Sequence, residues 1–89
     1  MVDLDQHQNS YVYIVLCKDN TLYTGYTNNL DKRINAHNNG TGAKYTKYRR
    51  PVELVYYETY NSKSAALKRE YQIKQLSKKE KLELINKHP

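Results

Sequence analysis

The stretch YVYIVLCKDNTLYTGYT, residues 11–27, decides the fold of this chain. Its two ends are rich in β-branched and aromatic residues, which are typical of strands. The segment KDNT between them carries an Asp-Asn turn signal. We therefore predict a β-hairpin over these residues. Gly25 interrupts the second strand, and a glycine inside a strand commonly marks a bulge or a place where a ligand or another backbone comes close.

Two tyrosines of this hairpin are candidates for one shared face. Tyr13 lies in the middle of the first strand, and Tyr23 precedes Gly25 by two residues on the second strand. Because side chains alternate along a strand, both hydroxyl groups could point to the same side, which Gly25 would leave open. Tyrosines in strands are usually packing residues with a hydrated hydroxyl group, so a chemical role needs further support.

The remainder of the chain predicts helices around one more strand. In NNLDKRINAHNNG (28–40), asparagines can cap a helix that has Leu30 and Ile34 on one face and ends at a glycine. The predicted order of elements is β-β-α-β-α-α. The last three elements are a strand in VELVYYETY (52–60), a helix in NSKSAALKREYQIKQL (61–76) and a helix with a capping-box pattern in SKKEKLELINKH (77–88).

The charge of the chain favours a polyanionic partner. Fifteen Lys and Arg against nine Asp and Glu give a net charge of +6. Such an excess attracts nucleic acid through the summed field and through counterion release, although a solubilising surface charge would look the same in composition. The segment GTGAKYTKYRR (40–50) adds four basic and two aromatic residues within what we predict to be a loop.

The cysteine count and the length bound the class of protein. The single cysteine, Cys17, excludes an intramolecular disulfide and favours a cytoplasmic setting, and we interpret it as a buried packing residue. No apolar segment approaches the roughly 18 residues that span a bilayer, and the polar N-terminus is unlike a signal peptide, so we expect no membrane contact. We expect a flexible N-terminus over residues 1–9 and a single domain over residues 10–89.

Polar side chains border the buried stripes of two predicted helices. Arg33 and His37 are four residues apart and lie beside Leu30 on the first helix. Glu70 falls in line with Ala66 and Ile73 on the second helix. A buried carboxylate needs a cation or hydrogen bonds. Three interpretations remain open: Glu70 forms a structural ion pair with Arg33, is exposed to solvent, or holds a divalent metal ion.

An ordered set of these residues resembles the GIY-YIG nuclease superfamily, whose name records its two strand motifs. The set comprises YVY (11–13), YTG (23–25), Arg33, His37 and Glu70. The loop GTGAKYT and the short length are similar to the small stand-alone bacterial branch, the YhbQ/YazA-like proteins. The resemblance implies an α+β fold, in which a three-stranded antiparallel sheet is flanked by helices, and a nuclease that hydrolyses DNA phosphodiester bonds.

The resemblance also implies the roles of the site residues. Glu70 matches the glutamate that binds one divalent ion, Mg²⁺ or Mn²⁺, and Arg33 matches the arginine that contacts the scissile phosphate. A single carboxylate should hold the ion weakly without substrate. Tyr13 and Tyr23 match the two motif tyrosines, and His37 stands where relatives place a histidine or a tyrosine. We expect Tyr23 to act as the general base or to relay the proton through His37, while Tyr13 orients water or phosphate.

The chain departs from the family pattern in three places. Tyr11 and Val12 replace the Gly-Ile pair of the first motif, and Thr24 replaces the isoleucine of the second. Tyr26 stands where the excision-repair incision nucleases have a lysine.

We expect Tyr45 and Tyr48 to stack on unpaired bases and the basic side chains to bind phosphates. The predicted substrate contacts are Gly25, Tyr26, Lys44, Tyr45, Lys47, Tyr48, Arg49 and Lys74.

Three functions compete at this point. The first is a metal-dependent nuclease with low sequence specificity and a preference for DNA structure, which could borrow its targeting from a partner protein. The second is a module of the same fold that binds DNA or RNA without turnover. The third is a protein-interaction domain whose basic face docks an acidic partner. The joint presence of two tyrosines, Arg33, His37 and Glu70 favours the nuclease, because binding alone needs no carboxylate facing a phosphate.

Overall fold

Three antiparallel strands form the centre of the protein in the computed structural model, which describes residues 9–87. The strands are β1 (Ser10–Leu16), β2 (Leu22–Thr27) and β3 (Glu53–Tyr60), in the spatial order β2-β1-β3. Asn20 adopts a positive φ of 69° in the turn between β1 and β2, where the Cys17 N–H donates to the Thr21 carbonyl. The predicted hairpin and three-stranded sheet are confirmed.

The helices begin and end at the residues that carry capping chemistry. The Asn29 side chain accepts a hydrogen bond from the Lys32 N–H at one helix start, and Gly40 ends that helix with a φ of 87°. The predicted order is confirmed, with one addition: a single helical turn lies within the predicted loop over residues 40–50. The helices are α1 (Leu30–Asn39), α2 (Lys44–Lys47), α3 (Lys63–Lys74) and α4 (Lys78–Asn86).

The central strand β1 separates two small cores. Val12 and Ile14 pack on one face of the sheet with residues of α3 and α4. Tyr13 and Val15 pack on the other face with residues of α1. This division follows from the alternation of side chains along a strand. Cys17 is buried in the second core, so its interpretation as a packing residue is confirmed, and burial raises the pKa of its thiol.

A carboxylate that the sequence did not single out ties β3 to α3. Glu58 accepts hydrogen bonds from Arg69 Nε at 2.9 Å and Nη2 at 3.1 Å, and also from the hydroxyl groups of Tyr56 and Tyr60. Burial raises the pKa of Glu58, but the hydrogen bonds from Arg69, Tyr56 and Tyr60 outweigh it and hold the pKa below its usual value.

This network predicts a pH-dependent contribution to stability. The pKa of Glu58 is lower in the folded state than in the unfolded state, so its contribution is present above the unfolded pKa of about 4.3 and is lost as pH falls through the folded pKa. Urea unfolding should show Glu58→Gln less stable by about 2 kcal/mol at pH 7. The difference should shrink below about pH 4. Asp19→Asn, which removes an exposed ion pair, should change the free energy of unfolding much less. A Glu58→Gln effect that does not depend on pH would contradict the assignment.

Two expectations concern the chain ends and the membrane. The predicted flexible N-terminus lies, except for residue 9, outside the described residues, as does the last residue of the predicted third helix. Within residues 9–87, no helix combines the length and the apolar character needed to cross a bilayer.

Candidate active site

A buried chain of hydrogen bonds joins the first motif tyrosine to two helices. The Tyr13 hydroxyl lies 2.7 Å from His37 Nε2, and His37 Nδ1 lies 2.8 Å from the Thr46 hydroxyl. Thr46 in turn donates to the Ala43 carbonyl at 3.1 Å. The side chains of Tyr13, His37 and Thr46 are all excluded from solvent. Strand β1 and helices α1 and α2 thus each contribute one member.

The positions of the protons follow from Thr46. A threonine hydroxyl has one hydrogen, and here it goes to Ala43, so the Thr46 oxygen must accept a hydrogen bond from His37 Nδ1–H. Burial and then the charge of Arg33 lower the pKa of His37, which favours its neutral form. The Nε2 lone pair of neutral His37 is therefore the acceptor, and Tyr13 is the donor.

We predict that Thr46 fixes this tautomer. Thr46→Val keeps the shape of the side chain but removes the acceptor for Nδ1–H, so His37 should shift toward the Nε2–H form. Thr46→Ser keeps the acceptor and should keep the wild-type tautomer. Long-range ¹H–¹⁵N NMR of the His37 ring distinguishes the two forms. A wild-type ring protonated on Nε2 would contradict the assignment.

Tyr13 holds its proton firmly. Burial raises the pKa of its phenol well above the usual value, and the nearby Tyr23 adds to the rise. Arg33 lowers the pKa and Glu70 raises it. Arg33 on α1 and Glu70 on α3 therefore influence the pKa of the same hydroxyl group.

Two glycines make room for this chain. Gly25 lies directly across the sheet from Tyr13, and a Cβ atom at Gly25 would lie 2.6 Å from Tyr13 Cζ. The expectation that Gly25 leaves an open face is wrong, because the Tyr13 ring fills that space. Gly42 similarly admits His37, since a Cβ atom there would lie 2.6 Å from Nδ1. Neither Gly42 nor Thr46 was predicted from the sequence as part of the site.

The second motif tyrosine stands beside the buried chain. The Tyr23 ring centre lies 6.5 Å from that of Tyr13 and 5.4 Å from that of His37. Tyr23 is only partly buried, and its hydroxyl makes no hydrogen bond to another described residue. This hydroxyl can therefore receive a water molecule or a phosphate oxygen without breaking a hydrogen bond to any residue of the described range.

Tyr45 is already engaged within the protein. Its ring stacks on that of Tyr23, with centres 5.7 Å apart and planes 21° apart. The Arg49 guanidinium carbon lies 4.0 Å from the Tyr45 ring centre, and Arg49 also pairs with Asp19 at 3.0 Å. In the structure Tyr45 therefore contacts Tyr23, and Arg49 contacts Tyr45 and Asp19.

Arg33 connects the buried chain to an open cleft. Its side chain is partly buried, and Nη1 donates to the Gly42 carbonyl at 3.0 Å. The charge of Arg33 acts on both Tyr13 and His37. The cleft is lined by Thr27, Asn28, Asn29, Lys32, Arg33 and Ala36.

Glu70 is mostly buried, with 18% of its side chain exposed, and lies between the fully buried Ala66 and Ile73. The interpretation of Glu70 as a solvent-exposed residue is therefore wrong. The proposed ion pair with Arg33 is also wrong, because Glu70 pairs with Lys74 at 3.1 Å. Lys74, predicted to bind substrate, is the counter-ion of Glu70 in the structure, and its side chain is 48% exposed.

The donor set around Glu70 fits a hard divalent cation with few protein ligands. No group of three His, Cys, Asp or Glu that could hold a metal ion occurs among the described residues. Mg²⁺ commonly binds proteins through one or two carboxylates and completes its shell with water and substrate phosphate. The Glu70 carboxylate is mostly buried and pairs with the half-exposed Lys74, so it meets that requirement.

The other predicted substrate residues are dispersed. Tyr26 lies on the opposite face of β2 from Tyr23 and Gly25 and packs in the core beside α3 and α4. The structure does not bring it together with the motif hydroxyl groups. Lys44 and Lys47 are exposed on α2, and the neighbouring Tyr48 is 84% exposed.

Comparisons with known proteins found a matching family model and similar proteins. Residues 9–83 match the family model described as the GIY-YIG catalytic domain. A UPF0213 protein of Staphylococcus saprophyticus is 60% identical over 83 residues, which cover 93% of this chain and 98% of that protein. A UPF0213 protein of Clostridium perfringens is 61% identical over 77 residues, covering 86% of this chain and 83% of that protein.

Two structures determined by solution NMR have the same fold. The UPF0213 protein of Bacillus halodurans has a TM-score of 0.60 and 46% sequence identity, covering 90% of this chain and 85% of its own. A protein of E. faecalis has a TM-score of 0.61 and 40% identity, covering 89% of this chain and 84% of its own.

Proposed function

Because this chain belongs to the GIY-YIG family, in its small stand-alone bacterial branch, we propose that it is a divalent-metal-dependent nuclease that hydrolyses DNA phosphodiester bonds. One observation carries the proposal. The rings of Tyr13, Tyr23 and His37 lie together, and the charges of Arg33 and Glu70 both act on the Tyr13 hydroxyl. A binding surface alone would need neither the buried proton chain nor the carboxylate.

Arg33 supports the proposal through its position beside a cleft. Negative charge accumulates on the phosphate oxygens as water attacks, so a fixed positive charge directed at them is the largest available aid. The contact with Gly42 uses one N–H of the guanidinium and leaves further N–H groups for a phosphate in the cleft. A divalent ion, Mg²⁺ or Mn²⁺, held by Glu70 would supply additional positive charge as a Lewis acid.

The two motif tyrosines have different roles in this proposal. The Tyr13 hydroxyl donates a hydrogen bond to His37, and its raised pKa keeps it protonated, so it does not accept a proton from water and instead positions its neighbours. The Tyr23 hydroxyl makes no hydrogen bond to another residue within 9–87 and is the general base for the attacking water in this proposal. As the base, Tyr23 would accept a proton from the attacking water in the transition state.

The contacts to DNA are mainly to phosphates. Lys44 and Lys47 are exposed on α2 beside Tyr48, and Lys74 becomes free to bind a phosphate once a cation neutralises Glu70. Phosphate contacts orient the nucleic acid but do not read its sequence. The proposed enzyme therefore has low sequence specificity and selects DNA by its structure. A partner protein is the proposed source of further targeting.

Incubation of the purified chain with supercoiled plasmid and with branched DNA tests the proposal. In Mg²⁺ or Mn²⁺ the plasmid should be nicked, and chelation by EDTA should stop the reaction. The activity must coelute with the 10.5 kDa chain in gel filtration, which controls for a contaminating nuclease. Binding of DNA without nicking in either metal would support the non-catalytic DNA- or RNA-binding module instead.

A further inference from the structure

Two tyrosines, the exposed Tyr57 and the partly buried Tyr11, continue the site along the sheet. Tyr57 on β3 is the cross-strand partner of Tyr13 and is 53% exposed. Its ring contacts that of Tyr11 at a centre-to-centre distance of 6.1 Å, with planes at 69°. Both tyrosines lie on the Tyr13 face of the sheet, and neither belongs to the hydrophobic clusters that pack against the helices. Within residues 9–87, the helices therefore leave this end of the sheet face uncovered.

The tyrosine pair is contiguous with the Arg33 cleft. Tyr11 is the cross-strand partner of Thr27, and Thr27 lines the same cleft as Lys32 and Arg33. Directly opposed residues on neighbouring strands have Cα atoms about 4.5–5.5 Å apart. The phosphates of one DNA strand are also spaced only a few ångströms apart along the helix axis. The aromatic surface and the cationic cleft therefore adjoin at about the spacing of one nucleotide.

We propose that Tyr57 and Tyr11 form a stacking platform for an unpaired base of single-stranded DNA. The inference rests on the proposed function, because it takes the Arg33 cleft as the site of the phosphate. An exposed aromatic ring beside a cationic groove is the arrangement by which proteins hold single strands, since every base has a face that can stack. A duplex keeps its bases stacked on one another, so it can use the cleft but not the platform.

The platform gives the enzyme a preference that phosphate contacts alone do not. The net charge of +6 attracts single and double strands alike. Stacking on Tyr57 adds affinity only where a base is free, as in a flap, a gap or a single strand. The nuclease is therefore directed toward sites where duplex DNA ends or opens.

Fluorescence anisotropy with short labelled oligonucleotides in EDTA tests the platform, because no cleavage occurs there. Tyr57→Thr keeps a residue suited to a strand and should weaken binding of single-stranded DNA by about tenfold. Tyr57→Phe keeps the ring and should bind as wild type does. The matched control is Tyr71→Ala, which removes a tyrosine that is 67% exposed on α3. It should leave the affinity unchanged.

The outcomes separate this inference from the nuclease proposal. Duplex binding should change less than twofold in Tyr57→Thr, at the same salt concentration. An equal loss for both forms of DNA, or no loss for the single strand, would overturn the platform even if wild type cleaves DNA. Selective loss for the single strand with no cleavage in Mg²⁺ would retain the platform and reject the nuclease.

Discussion

Glu70→Ala should lower single-turnover DNA cleavage by roughly 10³-fold, because a bound divalent ion stabilises the transition state by several kcal/mol. The charge of Glu70 raises the pKa of the Tyr13 hydroxyl. In the structure Glu70 pairs with the half-exposed Lys74. The Glu70→Ala substitution removes the proposed ligand of the ion. Quench-flow or gel assays with excess enzyme over a labelled substrate measure the cleavage step itself.

Two controls make this prediction specific. Glu83→Ala removes an exposed carboxylate on α4 and should cleave at the wild-type rate. Glu70→Gln keeps the size of the side chain and should be as slow as Glu70→Ala, since an amide lacks the charge that holds the ion. Full activity of both Glu70 variants would show that Glu70 does not hold a metal ion that cleavage requires.

Tyr23→Phe should slow single-turnover cleavage by roughly 10²–10⁴-fold, the usual contribution of a general base. It should hardly change stability, because the Tyr23 hydroxyl has no hydrogen bond to another described residue. Tyr13→Phe should show the opposite pattern. It leaves His37 Nε2 buried without its donor, which costs about 1–3 kcal/mol in the free energy of unfolding, and the rate should fall less.

The two measurements together distinguish the roles of the tyrosines. Urea unfolding reports the stability of each variant, and single-turnover kinetics report the rate. A large rate loss in Tyr13→Phe together with an active Tyr23→Phe would mean that Tyr13 is the general base and Tyr23 is not. Wild-type rates in both variants would exclude the hydroxyl groups of Tyr13 and Tyr23 from the reaction.

The sequence predicted the elements of the fold because its signals are local. Alternating β-branched and aromatic residues identify the hairpin, and Asn29, Gly40 and the Ser77–Glu80 capping box mark the helix ends. Periodicity also placed Ala66 and Ile73 on the buried face of α3. Each of these features depends on residues within a few positions of one another.

The parts that the sequence did not predict depend on contacts between distant elements. Thr46 orients His37 from a segment with no periodicity, and nothing in its neighbours indicates a buried hydroxyl. Glu58 meets Arg69 across β3 and α3. Gly25 had the correct signal, a close approach, but only the register of β1 and β2 identifies the approaching group as the Tyr13 ring. Side-chain pairing across elements is set by tertiary packing, which a single sequence does not encode locally.

Paramagnetic broadening by Mn²⁺ tests the central claim most directly, which is that two strands and two helices converge on one site for a cation and a phosphate. Weak binding is sufficient for this NMR measurement. Substoichiometric Mn²⁺ should first broaden the signals of Tyr13 and Tyr23 in the wild type and should leave them sharp in Glu70→Gln. Sharp Tyr13 and Tyr23 signals in the wild type, with broadening centred on Asp19 or on α4, would contradict the account.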